Sequence, residues 1–129
     1  MPVYSFPYDG FDYDPAMPVA QITLVPIIKG RSHVDLVSLI DSGADATILP
    51  LNALELVGAR YARSRLMTGV TGEPVSVDTY LTTILVGPYN IYRIEAVAMP
   101  IDSQPILGRD VLNQLELTLN GPAQELWIA

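Results

Sequence analysis

From Val19 onward the chain alternates between short apolar runs and polar or glycine-containing breaks, which is the signature of β-structure. The runs "VAQITLVPII" (19–28) and "HVDLVSLID" (33–41) are rich in Val, Ile, Leu and Thr, and "KGRS" separates them, so they predict a hairpin. "ATILP" (46–50) predicts another short strand. "LNALELVG" (51–58) offers about two helical turns, stopped at Gly58. "RLMTGVTGEPVSVDTYLTTILVG" (65–87) predicts two strands around a turn at Gly69 to Gly72. The second of these is too long and too polar to lie in a core throughout, so the hairpin is expected to project from the body. "YNIYRIEAVAMP" (89–100) predicts a strand whose tyrosines suit strand faces. "GRDVLNQLEL" (108–117) predicts a short helix, and "LTLNGPAQELWI" (117–128) a hairpin around Asn120-Gly121-Pro122.

The first 18 residues differ. "PYDGFDYDPAMP" mixes proline, acids and aromatics with neither helical nor strand period. It reads as an extended arm, residues 1–18, ahead of a domain over 19–129. Phe6, Tyr8, Phe11 and Tyr13 make it apolar for a solvated tail, so it is expected to pack on the body or on a partner.

An internal echo is also present. "IDSGADATILPLNALEL" and "IDSQPILGRDVLNQLEL" both run from Ile-Asp-Ser to an apolar pair, then Pro or Gly, then a short helix ending in Glu-Leu. Two readings stand: one domain built from related halves, or coincidence in a β-rich chain.

Composition narrows the function. At 129 residues the chain is one ordinary domain, and 50% apolar content lets it bury a core without metal or disulfide. With no cysteine, disulfides, thiolate catalysis and Cys-based zinc sites are excluded, and the single His33 excludes a multi-histidine metal site within one chain. No metal or cofactor is expected. A net charge of −7 argues against nucleic acid or an anionic membrane as partner, since both need clustered Lys and Arg. The amino terminus has no signal-peptide pattern and no run reaches a membrane span, so a soluble cytoplasmic protein is expected. His33 reads as an exposed loop residue, Met67 and Met99 as packing residues, and Arg60, Arg63 and Arg65 as a solvated face.

The chemistry concentrates in "LIDSGADATILP" (39–50), where an apolar run carries an aspartate, a hydroxyl residue, a glycine and a second acid. Burying a carboxylate is costly unless it is hydrogen-bonded or paired. Asp-Ser-Gly alone is common and reads equally as an Asx-type turn between strands. Its context is what points further. The pattern apolar-apolar-Asp-Ser-Gly-Ala-Asp-Ala-Thr resembles the active-site loop of retropepsin-like aspartic proteases. Four features follow in that family's order: the helix in "LNALEL", the Gly-tipped hairpin "MTGVTGEP", the segment "ILGRDVLNQL", and a closing strand pair. The resemblance spans about Val19 to Ile128, and the arm resembles the leader of bacterial members.

The resemblance implies an all-β acid-protease barrel with one or two short helices, one lobe per chain, in a C2 homodimer. It implies that Asp41 is catalytic, in a setting that raises and couples its pKa. Ser42 would brace the two active-site loops across the dimer, and Gly43 would let the backbone approach the carboxylate. Ala44, Asp45, Ile106 and Arg109 would line the substrate site, with Asp45 and Arg109 as an ion pair. Met67 to Pro74 would form a flap with Gly69, Val70, Thr71 and Gly72 at its tip, and Asp102 to Pro105 would wall the subsites. The tip has fewer glycines than in retroviral proteases, which bears on how far it opens.

Only one Asp-Ser/Thr-Gly is present: Asp9-Gly10 lacks the hydroxyl, and Asp102-Ser103 is followed by Gln104. One chain thus supplies one carboxylate, so two copies are needed for a dyad, with Asp102 as the runner-up second carboxylate. The expected function is an aspartic endopeptidase acting on polypeptide. The alternative is a catalytically silent protease-fold dimerisation or peptide-binding module. The dimer sheet is expected from carboxy-terminal hairpins alone, with Trp127 either its anchor or a core residue.

Overall fold

A computed structural model of the chain describes residues 3–68 and 72–129. Its elements are β1 (Tyr4–Pro7), β2 (Val19–Val25), β3 (Val34–Ile40), β4 (Ile48–Pro50), α1 (Leu51–Leu56), β5 (Arg60–Thr68) and β6 (Pro74–Val86). They continue with β7 (Tyr89–Met99), β8 (Ile106–Leu107), α2 (Arg109–Leu112), β9 (Leu117–Asn120) and β10 (Glu125–Ile128). None of the described helices is long and apolar enough to cross a membrane.

Seven strands form one sheet in the order β2-β3-β8-β4-β7-β6-β5. A further antiparallel pairing, Ile22↔Val86 to Val25↔Thr83, joins β2 to β6 and closes the sheet into a small barrel. β5 is left outside the ring, paired only to β6 from Arg60↔Leu81 to Thr68↔Pro74. The β5–β6 pair is therefore the projecting hairpin expected from the sequence. The burial of β6 records this, because its first five residues are mostly exposed while Thr82, Ile84 and Val86 alternate into the core.

The core follows from alternation. Ile22 and Leu24 on β2 point inward, while Gln21 points outward. α1 starts directly after Pro50, whose φ of −68° suits a helix entry, and buries Ala53 and Leu54. It ends at Gly58, where φ is +68°, a conformation that favours glycine. Fully burying each such Leu or Ile contributes roughly 1.5–3 kcal/mol. α2 covers only Arg109–Leu112, shorter than the sequence pattern suggested, and the chain turns away before Glu116.

The internal echo has a structural counterpart. Ile48-Leu49-Pro50 enters α1 and Ile106-Leu107-Gly108 enters α2, and the two strands meet at Ile48↔Ile106. β3 pairs parallel with β8, and β4 pairs parallel with β7. Each strand–helix unit thus packs beside the other's approach strand.

The amino-terminal segment departs from the patternless arm. Tyr4–Pro7 is a strand, paired to β10 from Tyr4↔Ile128 to Pro7↔Glu125, in a second sheet of order β1-β10-β9. Within one chain the amino-terminal strand thus takes one edge of β10 and β9 takes the other. Pairing is set by backbone groups, so a proline-bounded strand without alternation can still dock. Phe6 packs against the core, whereas Phe11 is 97% exposed, so the arm's aromatics do not all pack. Asp9 Oδ1 closes the loop between by accepting from the N–H groups of Phe11 (2.9 Å) and Asp12 (3.0 Å).

Candidate active site

β3 and β8 bring the Asp41 loop to one end of the barrel. The Leu39 N–H donates to the Pro105 carbonyl (3.0 Å), and the Asp41 N–H to the Leu107 carbonyl (3.1 Å). Asp41 therefore stands one residue past the end of β3, not inside it, and its side chain is exposed in the single chain. The expected burial is thus not provided by this chain's own residues. The chain turns at once, with the Ala44 N–H on the Asp41 carbonyl (3.2 Å) and the Gly43 N–H on Asp41 Oδ1 (2.9 Å). A Cβ at Gly43 would stand 3.2 Å from that same oxygen, so glycine is what permits the approach.

α2 holds this loop from behind. The Arg109 N–H donates to the Ala44 carbonyl (2.8 Å), and Arg109 Nη1 donates to the Ser42 carbonyl (2.8 Å). The expected Asp45–Arg109 ion pair does not form. The guanidinium is engaged by the Ser42 carbonyl, and the ion pairs among the described residues are Arg63–Glu95 and Arg65–Glu95. Asp45 instead faces a cleft of about 260 Å³ that it shares with Ala46, Met67, Thr68, Val77 and Val97. That cleft lies between the Asp41 loop and the β5–β6 hairpin.

Two residues that sequence reasoning passed over form the main brace. Thr47 is fully buried. Its Oγ1 donates to Asp110 Oδ1 (2.7 Å) and accepts from the Gly108 N–H (3.1 Å), while its own N–H donates to Asp110 Oδ2 (3.1 Å). Asp110 Oδ1 also accepts from the Val111 N–H (2.9 Å). Both oxygens of this carboxylate are thus fixed, and the loop end is locked to α2. The close contact explains Gly108 as well, since a Cβ there would lie 2.6 Å from the Ala46 carbonyl carbon and oxygen. The signal was present in the Thr of "DAT" and the second charge of "GRD", whose apolar surroundings demand that polar groups satisfy one another.

Of the other expected site residues, Ile106 is half-buried in β8, paired with both Leu39 and Ile48. Gly72, just before β6, has φ +79°. Gly69, Val70 and Thr71 lie outside the described residues. Asp102, with φ +63°, exchanges two hydrogen bonds of 3.3 Å with Asn52 in the first turn of α1. That exchange fixes it as a loop clasp. Gln104 Nε2 donates to the Val37 carbonyl (3.1 Å), and Tyr13 Oη reaches Gln104 Oε1 (3.4 Å), so the arm touches this loop.

The arginine run is exposed, as expected, and two of its members pair with Glu95. Arg63 grips Glu95 with Nε at 2.9 Å and Nη2 at 3.2 Å, and the buried Thr79 hydroxyl lies 2.8 Å from Glu95 Oε2. The Arg63 hydrogen bonds, then the Thr79 one, hold the Glu95 carboxyl below its ordinary range. This cluster links β5 to β7 across β6. Trp127 is half-buried, and its Nε1 donates to Glu125 Oε2 (2.8 Å). Among the described residues, no group of three or more His, Cys, Asp or Glu gathers as metal ligands would.

Comparison with known proteins gives the arrangement a context. The family model for retroviral aspartyl proteases matches residues 18–120. Among solved structures, a retropepsin-like aspartic protease from Rickettsia conorii superposes with a TM-score of 0.62 at 14% identity, covering 98% of this chain and 91% of that one. The simian foamy virus (mac) protease gives a TM-score of 0.53 at 24% identity over 74% of this chain and 91% of that one. The retroviral protease-like domain of Ddi1 from Leishmania major gives 0.51 at 17% over 81% of each. At these identities the likeness establishes the fold. No curated protein matches the chain.

Proposed function

The chain belongs to the retroviral aspartyl protease family, and from that premise we propose that it is an aspartic endopeptidase whose two catalytic carboxylates are Asp41 from each of two identical chains. The observation that carries this reading is the state of Asp41 in one copy. Its backbone is fixed by Leu107 and its Oδ1 by the Gly43 N–H, yet the carboxylate stands exposed. A held but uncovered acid is half of a site. Asp102, the other candidate, is engaged with Asn52.

Two carboxylates brought together cannot both ionise, so the pair shares one proton and titrates as a unit. The ionised member takes a proton from water as the water oxygen attacks the scissile carbonyl carbon. The protonated member gives its proton to the carbonyl oxygen. The tetrahedral diol then collapses. The C–N bond breaks as the nitrogen takes the proton of the protonated carboxyl and one diol hydroxyl gives its proton to the other carboxylate, which leaves the dyad singly protonated. Ser42 is assigned the cross-dimer brace, and Gly43 and Arg109 hold the loop that presents Asp41. Ala44, Asp45 and Ile106 line the substrate cleft. The hairpin, with Gly69, Val70, Thr71 and Gly72, covers an extended peptide and excludes water. The working range is acidic to mildly acidic, as expected for a shared-proton pair.

The test is cleavage of a mixed peptide library at several pH values by wild type and Asp41→Ala, with sedimentation of both. Acid-favoured cleavage by a wild-type dimer, lost in Asp41→Ala, supports the reading. Cleavage that survives Asp41→Ala, or an active species that stays monomeric, contradicts it. Folded dimers of both proteins without cleavage would indicate a peptide-binding module.

A further inference from the structure

At the other end of β3 from Asp41, the turn after β2, the start of β5 and the middle of β6 and β7 enclose a cleft of about 460 Å³. Seven strand residues separate the two places, which at about 3.3 Å per residue is on the order of 23 Å. The cleft is therefore separate from the candidate active site. Its size is that of a small-molecule site.

Three independent features mark it as built for a ligand. The first is a buried hydroxyl: Thr82, in the cleft wall, is 1% exposed, and its Oγ1 has no hydrogen-bond partner among the described residues. Buried polar groups are nearly always paired, so an orphan needs a reason. The second is a backbone irregularity. The β6–β7 register shifts between Thr82 and Ile84, so that Tyr92 and Arg93 together face Thr83, and Arg93 takes a φ of +55°. A bulge with a non-glycine residue in the left-handed region re-aims a side chain, here Arg93, which lines the cleft.

The third is charge. The chain carries net −7, with only seven Lys and Arg. Four of them, Lys29, Arg31, Arg60 and Arg93, belong to this end of the barrel. Arg60 and Arg93 line the cleft, and Arg31 Cγ packs against Gly58 at its edge. Among the described residues, neither Arg60 nor Arg93 is in an ion pair; the pairs that form use Arg63 and Arg65. The rest of the wall is apolar, from Ile27, Ile28 and Leu81.

We infer that this cleft binds a small amphipathic carboxylate: an apolar chain or ring lies on Ile27, Ile28 and Leu81, and its carboxylate is held by the Arg60 and Arg93 guanidinium groups. Two arginines in the wall of an apolar slot suit one anionic head on one apolar body. In this proposal the orphan Thr82 hydroxyl is the neutral donor left in the wall for a ligand oxygen. Arg60 and Leu81 are directly paired at the root of the β5–β6 hairpin, so the ligand touches the base of the element that overhangs the Asp45 cleft.

The probe is octanoate, titrated into the full-length protein and followed by amide chemical shifts, with 1-octanol and octylammonium alongside. Octanoate is expected to give saturable shifts at Ile28, Gly58, Thr82 and Thr83, with 1-octanol and octylammonium clearly weaker. Arg60→Gln with Arg93→Asn is expected to weaken octanoate about ten-fold or more, asparagine being tolerant of positive φ. Thr82→Val is expected to unfold at higher temperature than wild type without probe, because the orphan hydroxyl is gone, and to bind octanoate less tightly. The inference is overturned by an absence of saturable shifts, by shifts centred on the Asp45 cleft, by equal affinity in the double variant, or by equal binding of 1-octanol.

Discussion

Replacing Thr47 with valine keeps the volume of a fully buried side chain and removes its hydroxyl. The consequences follow from its partners. Asp110 Oδ1 loses the 2.7 Å hydrogen bond from Oγ1, and the buried Gly108 N–H loses its 3.1 Å acceptor. A hydrogen bond to a charged group contributes about 1.5–3 kcal/mol, and a stranded buried donor costs about 1–3 kcal/mol. No cavity is created, so the sum, about 2.5–6 kcal/mol, is the whole expected loss. Domain stabilities are about 5–15 kcal/mol, so the variant should fold with a much lower urea midpoint. The assay is equilibrium urea unfolding at one fixed protein concentration, since association would otherwise enter the result. Thr47→Ser, which keeps both hydrogen bonds, should lose clearly less. Because the Thr47–Asp110 lock holds the Asp41 loop onto α2, peptide cleavage should fall in Thr47→Val under conditions where it is still folded. A loss below about 1 kcal/mol would refute the claim that this lock supports the site.

Three further outcomes are expected. Gly108→Ala should be poorly folded or inactive, because its Cβ would lie 2.6 Å from the Ala46 backbone, and no flexible side chain can yield there; near-wild-type unfolding would contradict the packing described. Gly43→Ala should unfold close to wild type yet cleave peptide far more slowly, since its Cβ would press at 3.2 Å on the Asp41 oxygen; unchanged turnover would remove Gly43 from the site. Glu95→Gln should be less stable than wild type at neutral pH. A carboxyl held below its ordinary range stabilises the fold above its unfolded value of about 4.3, and that contribution is lost as pH falls through the lower folded value. The urea midpoints of wild type and Glu95→Gln should therefore converge only below about pH 4; a gap unchanged at pH 3 would contradict the assigned cause.

What could be read from the sequence was whatever local pattern encodes. Alternation located β2, β3, β6 and β7, and Gly58 marked the end of α1. The half-polar length of β6 announced a hairpin leaving the body. Closure of the barrel by β2 on β6 joins residues sixty positions apart and has no local signature. β1 is similar: its pairing with β10 is made by backbone groups, so proline-rich composition suggested only an arm. Within the site, Asp41, Ser42 and Gly43 stood out through their context, an apolar run with a second acid and a following helix, hairpin and "ILGRDVLNQL" in the order of a known family. Thr47 and Asp110 did not, because each is ordinary until the fold brings them to 2.7 Å. The family resemblance implied Asp45 as the partner of Arg109, but the Ser42 carbonyl takes that role. Arg63 and Arg65 are exposed as the sequence suggested, and their partner Glu95 on β7 is what no local pattern encodes.

The central claim is that each working site contains Asp41 from two chains. Wild type and Asp41→Asn chains, mixed at constant total concentration and allowed to exchange, test it directly through peptide cleavage. If both carboxylates are needed, activity follows the square of the wild-type fraction, so an equal mixture retains about a quarter of full activity. An equal mixture retaining about half, in proportion to wild-type chain, would show that one chain's Asp41 suffices and would contradict the account.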